Sequence, residues 1–415
     1  MAGSKGRRAL VIGGSMSGLF AGLLLGRRGW DATIFERSPV PMAGRGAGII
    51  THPELRAALG KAGIGVGADL GVPIALRRTL DRDGRVVGEH PCPQIATSWN
   101  KLFEMLRGGF PDEHYRLGKE LVRVEERGGE VAAHFADGTA EAGDVLVAAD
   151  GFRSSVRAQL LPEVQPLYAG YVAWRGLVPE SAFPADVHRD LFDYFAFCLP
   201  LGEQMLGYPV AGPGNDLRPG HRWYNLVWYR PADEAAELPR LLTDESGHTH
   251  ALSIPPPLIA RSVVAEMRAH AEAVLAPQFR ALVRLAEQPF LQPIYDLETP
   301  RMALGRVALI GDAAFVARPH VGAGVAKAAD DAIALAAALD AHGDVAAALA
   351  AFEAERIGIG RRIIERARHL GAYMRTRFAT AEEQALAERH HGPQAVMSET
   401  AVLDFLNAQP PTSPL

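Results

Sequence analysis

Only two cysteines occur in 415 residues, Cys92 and Cys198, too few and too far apart for a disulfide framework or a cysteine metal site. That scarcity fits a reducing compartment. No uninterrupted apolar run is long enough to suggest a membrane span. No long basic block is present and the formal net charge is -5, so nothing points to nucleic acid as a partner. His248, His250, His390 and His391 lie in polar, turn-like sequence without acidic or cysteine partners at ligand spacing, and they read as exposed loop histidines; no metal site is expected. What remains is ordinary for a large soluble enzyme: 48% hydrophobic and 22% charged residues, in a chain long enough for two domains.

Lys5, Arg7 and Arg8 precede the apolar stretch from Ala9 to Gly26, which superficially resembles a signal peptide. Its Gly-Gly-Ser-Met-Ser-Gly interior fits a phosphate turn instead, no small-residue cleavage site follows, and Arg27-Arg28 leads into the next strand. The segment is read as uncleaved and the protein as cytoplasmic.

Three separated segments carry the chemistry: Val11-Ile12-Gly13-Gly14-Ser15-Met16-Ser17-Gly18, Ala149-Asp150-Gly151 with Ser154 and Arg157, and Ala308-Leu309-Ile310-Gly311-Asp312-Ala313-Ala314. In the first, a strand Ala9–Ile12, a glycine turn and a helix from Leu19 would set a pyrophosphate at the helix N-terminus. Glu36 ends the next apolar stretch about 20 residues on, where a carboxylate can accept hydrogen bonds from a ribose. Ser15 stands where the pattern wants its second glycine, and its hydroxyl could donate to phosphate. In the second, Gly151 permits a positive-φ turn, and Arg157 can hold Asp150 or reach toward phosphate. In the third, Asp312 closes a buried strand, and Pro319-His320-Val321-Gly322-Ala323-Gly324 opens a helix from Val325 to Leu339.

Together the three motifs resemble the FAD site of the single-component flavoprotein aromatic hydroxylases, over roughly residues 8 to 375. The likeness extends through Ala43 to Pro53, Gly170 to Gly176, Arg318 to Asp331 and Arg361 to Arg368. It implies an α/β fold: a Rossmann-like FAD-binding domain, an inserted mixed or antiparallel β-sheet domain for substrate, as in para-hydroxybenzoate hydroxylase, and C-terminal helices. The expected limits are 1–73, 95–165 and 301–378 for the FAD domain, 74–94 and 166–300 for the substrate domain, and a tail from 379 to 415 with one helix. A hairpin is expected at 76–90, one amphipathic helix around Ser262 to Leu285, and another helix from Val345 to Arg375.

The resemblance also implies a reaction. NADH or NADPH reduces FAD, O2 adds to give a C4a-hydroperoxyflavin, and the distal oxygen passes to an electron-rich carbon of a small aromatic or hydroxypyridine-like substrate. Residues expected at the cofactor are Gly13, Ser15, Met16, Ser17, Gly18, Glu36, Arg37, Arg45, Gly46, Val122, Asp150, Asp312, Val321, Gly322, Ala323 and Gly324. Amides at the helix start would face the flavin pyrimidine and stabilise negative charge there. Two departures stand out. Phe315 replaces a histidine that many relatives carry, and Trp99 sits where many put an arginine, whose place Arg45 is expected to take. Only one dinucleotide fingerprint is present, so nicotinamide would bind transiently. A homodimer is allowed by the family but not argued by the sequence.

The ring pocket is expected between the inserted sheet and the Pro319–Gly324 loop, with Tyr208, Phe197, Phe315 and Pro319 as candidate substrate contacts. Tyr171 and Arg175 share one strand face with Trp174 opposite, and Phe195, Tyr224 and Trp228 are further lining candidates. His320 is the candidate catalytic residue: a neutral imidazole there could deprotonate the substrate hydroxyl, and the alternative is that it only packs the loop. An epoxidase, an oxidative decarboxylase or a non-catalytic flavin-binding sensor would share the fold.

Overall fold

A computed structural model describes residues 7–42, 48–375, 378 and 380–407; Arg45 and Gly46 therefore lie outside the described residues. Arg8–Ile12, Asp31–Phe35, Val145–Ala148 and Val307–Leu309 are short, almost wholly apolar strands, the pattern of a parallel sheet covered on both faces. They form the centre of a sheet that has six strands among the described residues, with Tyr115–Arg116 at one edge and Ala303–Leu304 at the other. Ile12 pairs with Phe35 and Ala148, and Ala148 with Leu309, so the four central strands end level. That register brings Gly13, Glu36, Asp150 and Gly311-Asp312 to one rim. Helices Met16–Gly26, Gly324–Ala341 and Val345–Leu370 bury their apolar faces in the same core.

The second sheet has nine strands among the described residues, running in space from Phe315–Val316 through Phe290–Glu298, Leu167–Pro179, Trp223–Pro231, Gln204–Val210, Phe195–Cys198, Val72–Leu80 and Val86–Ser98 to Gly48–Thr51. Alternation along its strands sorts the aromatics. Trp174, Tyr224 and Trp228 face a helical layer, whereas Tyr171, Phe195, Phe197, Tyr208 and Tyr229 face the other way. Tyr224 and Trp228, offered as pocket residues from their spacing, are therefore core residues beneath the helices.

The helical layer also differs from expectation. One helix over 262–285 is replaced by two, Arg261–Val274 and Pro277–Leu285, because the residue before a proline is held extended, as Ala276 is at ψ 147°. Among its described residues the tail likewise has two α-helices, Ala381–His391 and Pro393–Glu399, divided at Gly392-Pro393. Two of the histidines read as exposed and unpartnered have carboxylate partners: His250 Nε2 lies 3.0 Å from Asp244, and buried His390 bonds Glu399 through Nδ1 at 2.5 Å. No helix among the described residues is long and apolar enough to cross a membrane.

Candidate active site

The nucleotide rim is built by close backbone approach. Gly13 has φ +103°, and a Cβ there would lie 2.4 Å from the Ala149 carbonyl oxygen; a Cβ on Gly18 would lie 1.9 Å from that of Gly13. Ser15 sits at the helix N-cap with φ -87°, an ordinary value for an L-residue, and its hydroxyl makes no capping bond. The departure from glycine is thus accommodated, and the hydroxyl stays available at the turn. Met16 is buried behind the turn, and Ser17 packs under Gly311, where a Cβ would come 2.2 Å from its Oγ.

Glu36 is only 6% exposed and accepts the Gly14 amide at 2.8 Å and the Ser38 amide at 2.9 Å, one on each oxygen. It holds the turn together and still borders a narrow cleft of about 80 Å³ with Gly13, Arg37, Asp150 and Arg153. Val122 stands beside that cleft's Leu121 at a strand irregularity and is 54% exposed. Asp150 Oδ2 accepts from Ser155 and from the Val156 amide, while buried Oδ1 has no partner. Arg157 does not bond Asp150 or reach into the cleft: it donates to the carbonyls of Ala313 at 3.0 Å and Phe152 at 2.6 Å, tying the second motif to the third.

Asp312 is exposed and faces the cavity between the Pro319–Gly324 loop and the second sheet. Desolvation by the protein around it pushes its carboxyl above the ordinary range, against the pull of Lys327. The turn that presents it depends on groups the sequence reading did not assign. Gly311 N–H donates to Asp331 Oδ2 at 3.0 Å, and buried Asp331 is paired with Arg356 at 2.9 Å. An acidic residue twenty positions beyond a glycine turn carries no recognisable local signal, because the contact forms only when helix Gly324–Ala341 packs under the turn.

The glycine close approaches, the free Ser15 hydroxyl, the orphaned Asp150 oxygen and the Asp312 carboxylate lie on one rim and offer donors and acceptors along the length of a dinucleotide. They fit FAD. At the far end, Gly322 in the left-handed region (φ +64°) turns the chain into helix Gly324–Ala341, whose N-cap Ala323 supplies no side-chain acceptor. Its first amides are left for a ligand.

Between that loop and the second sheet lies a cavity of about 290 Å³, to which Arg175, Tyr208, Tyr229, Pro319, His320 and Ala401 contribute. Val321, Gly322, Ala323 and Gly324 line it as well. Phe197 is fully buried, stacked at 4.7 Å on Phe195, and it is Phe195 that reaches the cavity. Phe315 points into the first core against Gly360, where a Cβ would come within 2.6 Å of its ring, so it does not contact a ring substrate. Trp99 stacks on Phe103 at 4.9 Å and borders an outer cleft of about 880 Å³.

His320 corrects the expectation of an acid–base residue. It is 2% exposed, Nδ1 lies 3.0 Å from Gln204 Oε1, and Nε2 lies 2.9 Å from the Tyr171 hydroxyl. Gln204 Oε1 can only accept, so Nδ1 carries the proton and Nε2 accepts from Tyr171. Burial, reinforced by the charges of Arg318 and Arg175, pushes its pKa down to about 3. Both nitrogens are committed to protein partners. The imidazole anchors the loop, and neither strand that supplies its partners is near it in sequence.

Arg175 is the group that remains free. It is half-buried where the inner cavity meets the outer cleft, its Nε is buried without a partner, and among the described residues no carboxylate pairs with it. Its charge bears on Tyr208, Tyr229 and His320. Tyr208 donates to the Gly48 carbonyl at 2.9 Å, whereas Arg318 is neutralised by Asp296 at 2.9 Å.

The chain is 34% identical over 366 residues to 2,6-dihydroxypyridine 3-monooxygenase of Paenarthrobacter nicotinovorans, covering 88% of this chain and 91% of that one. This protein belongs to the FAD-dependent aromatic hydroxylases. It is also 31% identical to 3-amino-4-hydroxybenzoate 2-monooxygenase of Streptomyces cremeus, over 88% of this chain and 86% of the relative. The solved 2,6-dihydroxypyridine-3-hydroxylase of Arthrobacter nicotinovorans matches with a TM-score of 0.83 at 33% identity, covering 89% of this chain and 92% of that one. A family model described as FAD binding domain-like matches residues 168–296, a stretch that lies mostly in the second sheet and its helices. As a member of these hydroxylases the protein is a flavoprotein monooxygenase with FAD as cofactor and NAD(P)H as co-substrate, and the α/β fold with its inserted sheet is that of the para-hydroxybenzoate hydroxylase group.

Proposed function

We propose that this hydroxylase acts on a small hydroxylated pyridine or similar phenol, bound as its anion against Arg175 and hydroxylated ortho or para to the ring oxygen. The observation that carries the reading is the unpaired guanidinium on the sheet side of the cavity, facing the loop that would hold the flavin. Bound FAD, reduced by NAD(P)H, supplies the electrophilic oxygen from O2. The protein's own contribution is electrostatic and positional. Arg175 favours the deprotonated ring hydroxyl, which raises electron density at the attacked carbon; a hydrogen bond to a charged group is worth roughly 1.5–3 kcal/mol. Asp312 and Glu36 would accept from ribityl and ribose hydroxyls, and the open amides of helix Gly324–Ala341 would face the flavin pyrimidine.

In this reading 1–73, 95–165 and 301–378 hold the cofactor and 74–94 and 166–300 hold the substrate, with the difference that Gly48–Thr51, residues 72–73 and 95–98, and Phe315–Val316 are strands of the second sheet. The unpaired Cys92 and Cys198 support a cytoplasmic setting. A homodimer is included in this reading as an expectation, and sedimentation velocity decides it. The activity test is O2 uptake and product analysis with 2,6-dihydroxypyridine and simple phenols. Stoichiometric hydroxylated product from a hydroxypyridine supports the reading, and no turnover of any of them overturns the substrate assignment.

A further inference from the structure

The C-terminal helices occupy a position that the nucleotide and ring motifs do not explain. Helix Pro393–Glu399 lies over strands Val86–Ser98 and Val72–Leu80, and the chain leaving it brings Thr400 and Ala401 to the wall of the inner cavity. Arg77, fully buried on strand Val72–Leu80, donates Nη1 to the carbonyls of Met397 and Thr400, both at 2.6 Å, and Nη2 to Gln94 Oε1 at 2.5 Å. Gln94 in turn donates Nε2 to the Ala401 carbonyl at 3.0 Å. The Ala401 amide then donates to the His320 carbonyl at 2.8 Å, and Ala401 itself is held in the left-handed region at φ +51°. Its methyl packs on Gly322, where an added Cβ would come within 2.6 Å. His52 lies 3.1 Å from the Gly322 carbonyl through Nε2.

A buried guanidinium without a carboxylate is costly unless its donors are used; here Nη1 is spent on the end of a C-terminal helix and Nη2 on Gln94, while Nε is left without a partner. We propose that residues 393–401, fastened by Arg77 and Gln94, form the closing wall of the catalytic cavity and fix the Pro319–Gly324 loop, so that Arg77 and Gln94 are positioning residues for coupled oxygen transfer. Coupled turnover consumes one NAD(P)H, one proton and one O2 to give NAD(P)+, hydroxylated ring and water. When water enters the cavity, the same NAD(P)H, proton and O2 yield NAD(P)+ and H2O2 with the ring unchanged. A loosened wall therefore diverts oxygen to H2O2 while leaving the nucleotide-binding rim of the first sheet intact.

The test uses full-length holoprotein carrying Gln94→Leu, Arg77→Met or Arg77→Lys. Two readouts are taken: H2O2 against product per NAD(P)H, and hydrogen exchange of peptides covering 319–325 and 398–403. For Gln94→Leu and Arg77→Met the product-to-H2O2 ratio should fall by about tenfold, the factor one lost buried hydrogen bond represents, with FAD content retained. Both peptides should exchange faster, and Arg77→Lys should recover part of both losses. Unchanged exchange in Gln94→Leu overturns the fastening, and faster exchange with unchanged coupling overturns the link to catalysis. Should Arg77→Met fail to fold, Gln94→Leu decides alone, since Gln94 is only half-buried. The coupling readout rests on the proposed substrate reading and the exchange readout does not. If wild type turns over none of the tested rings, the substrate assignment fails while the exchange data still judge the wall.

Discussion

Replacing His320 with alanine separates an anchoring histidine from a catalytic one. The wild-type ring bonds Gln204 and Tyr171 in a site that is 2% exposed. Alanine leaves a buried amide oxygen and a buried hydroxyl unpaired, each at about 1–3 kcal/mol, so the loss of stability should be about 2–6 kcal/mol. The pH dependence carries a second signature. The folded pKa lies near 3, below the ordinary 6.5, so the unfolded chain binds a proton that the folded one refuses. Stability contributed by this neutral ring is present in full above pH 6.5 and falls as the pH drops toward 3, at about 1.4 kcal/mol per unit. His52 is depressed in the same direction by burial and adds its own slope. Denaturant unfolding at pH 5.5 and 7.5 should therefore show that His320→Ala is less stable at both values and loses about one proton's worth of the pH dependence. The pH profile of kcat/KM should keep its shape. A mutant of unchanged stability whose kcat falls a hundredfold or more, the size of lost general acid–base catalysis, would refute the anchoring account.

Asp312→Ala should weaken FAD binding by roughly ten- to a hundredfold, as expected for one charge-assisted hydrogen bond, and flavin fluorescence titration of the apoprotein measures it. Gly18→Ala, which would drive a Cβ to 1.9 Å from the Gly13 carbonyl oxygen, should yield protein that folds poorly or holds no FAD, read from the flavin absorbance of purified protein. With a single dinucleotide fingerprint in the chain, reduction of the flavin by NAD(P)H should speed up when the ring substrate is bound; stopped-flow absorbance giving equal rates with and without a confirmed substrate would remove this gating.

The parts of the site that were legible in the sequence are those fixed by local rules. Short apolar strands, each ending in glycine or an acid, predicted the level rim of Gly13, Glu36, Asp150 and Asp312, because a parallel sheet leaves its strand ends together. Alternation along Gly170–Gly176 likewise separated Tyr171 and Arg175 from Trp174. What escaped was set by packing between distant segments. Tyr224 and Trp228 have the right chemistry for a ring pocket, and only the helices over 261–285 decide that they face away from it. The partners of His320 come from positions 171 and 204, so adjacency to the flavin loop suggested a free imidazole where the fold supplies a fully bonded one. Arg77 and the tail meet across more than three hundred residues, a distance no periodicity reports.

Whether Arg175 holds an anionic ring in the cavity beside the flavin loop is read from the dissociation constant of 2,6-dihydroxypyridine. It is measured by perturbation of flavin absorbance in wild-type and Arg175→Met holoprotein. Loss of the charge-assisted contact predicts binding weaker by roughly ten- to a hundredfold in the variant with FAD content unchanged. Tight binding to wild type and an equal constant in the variant would contradict it.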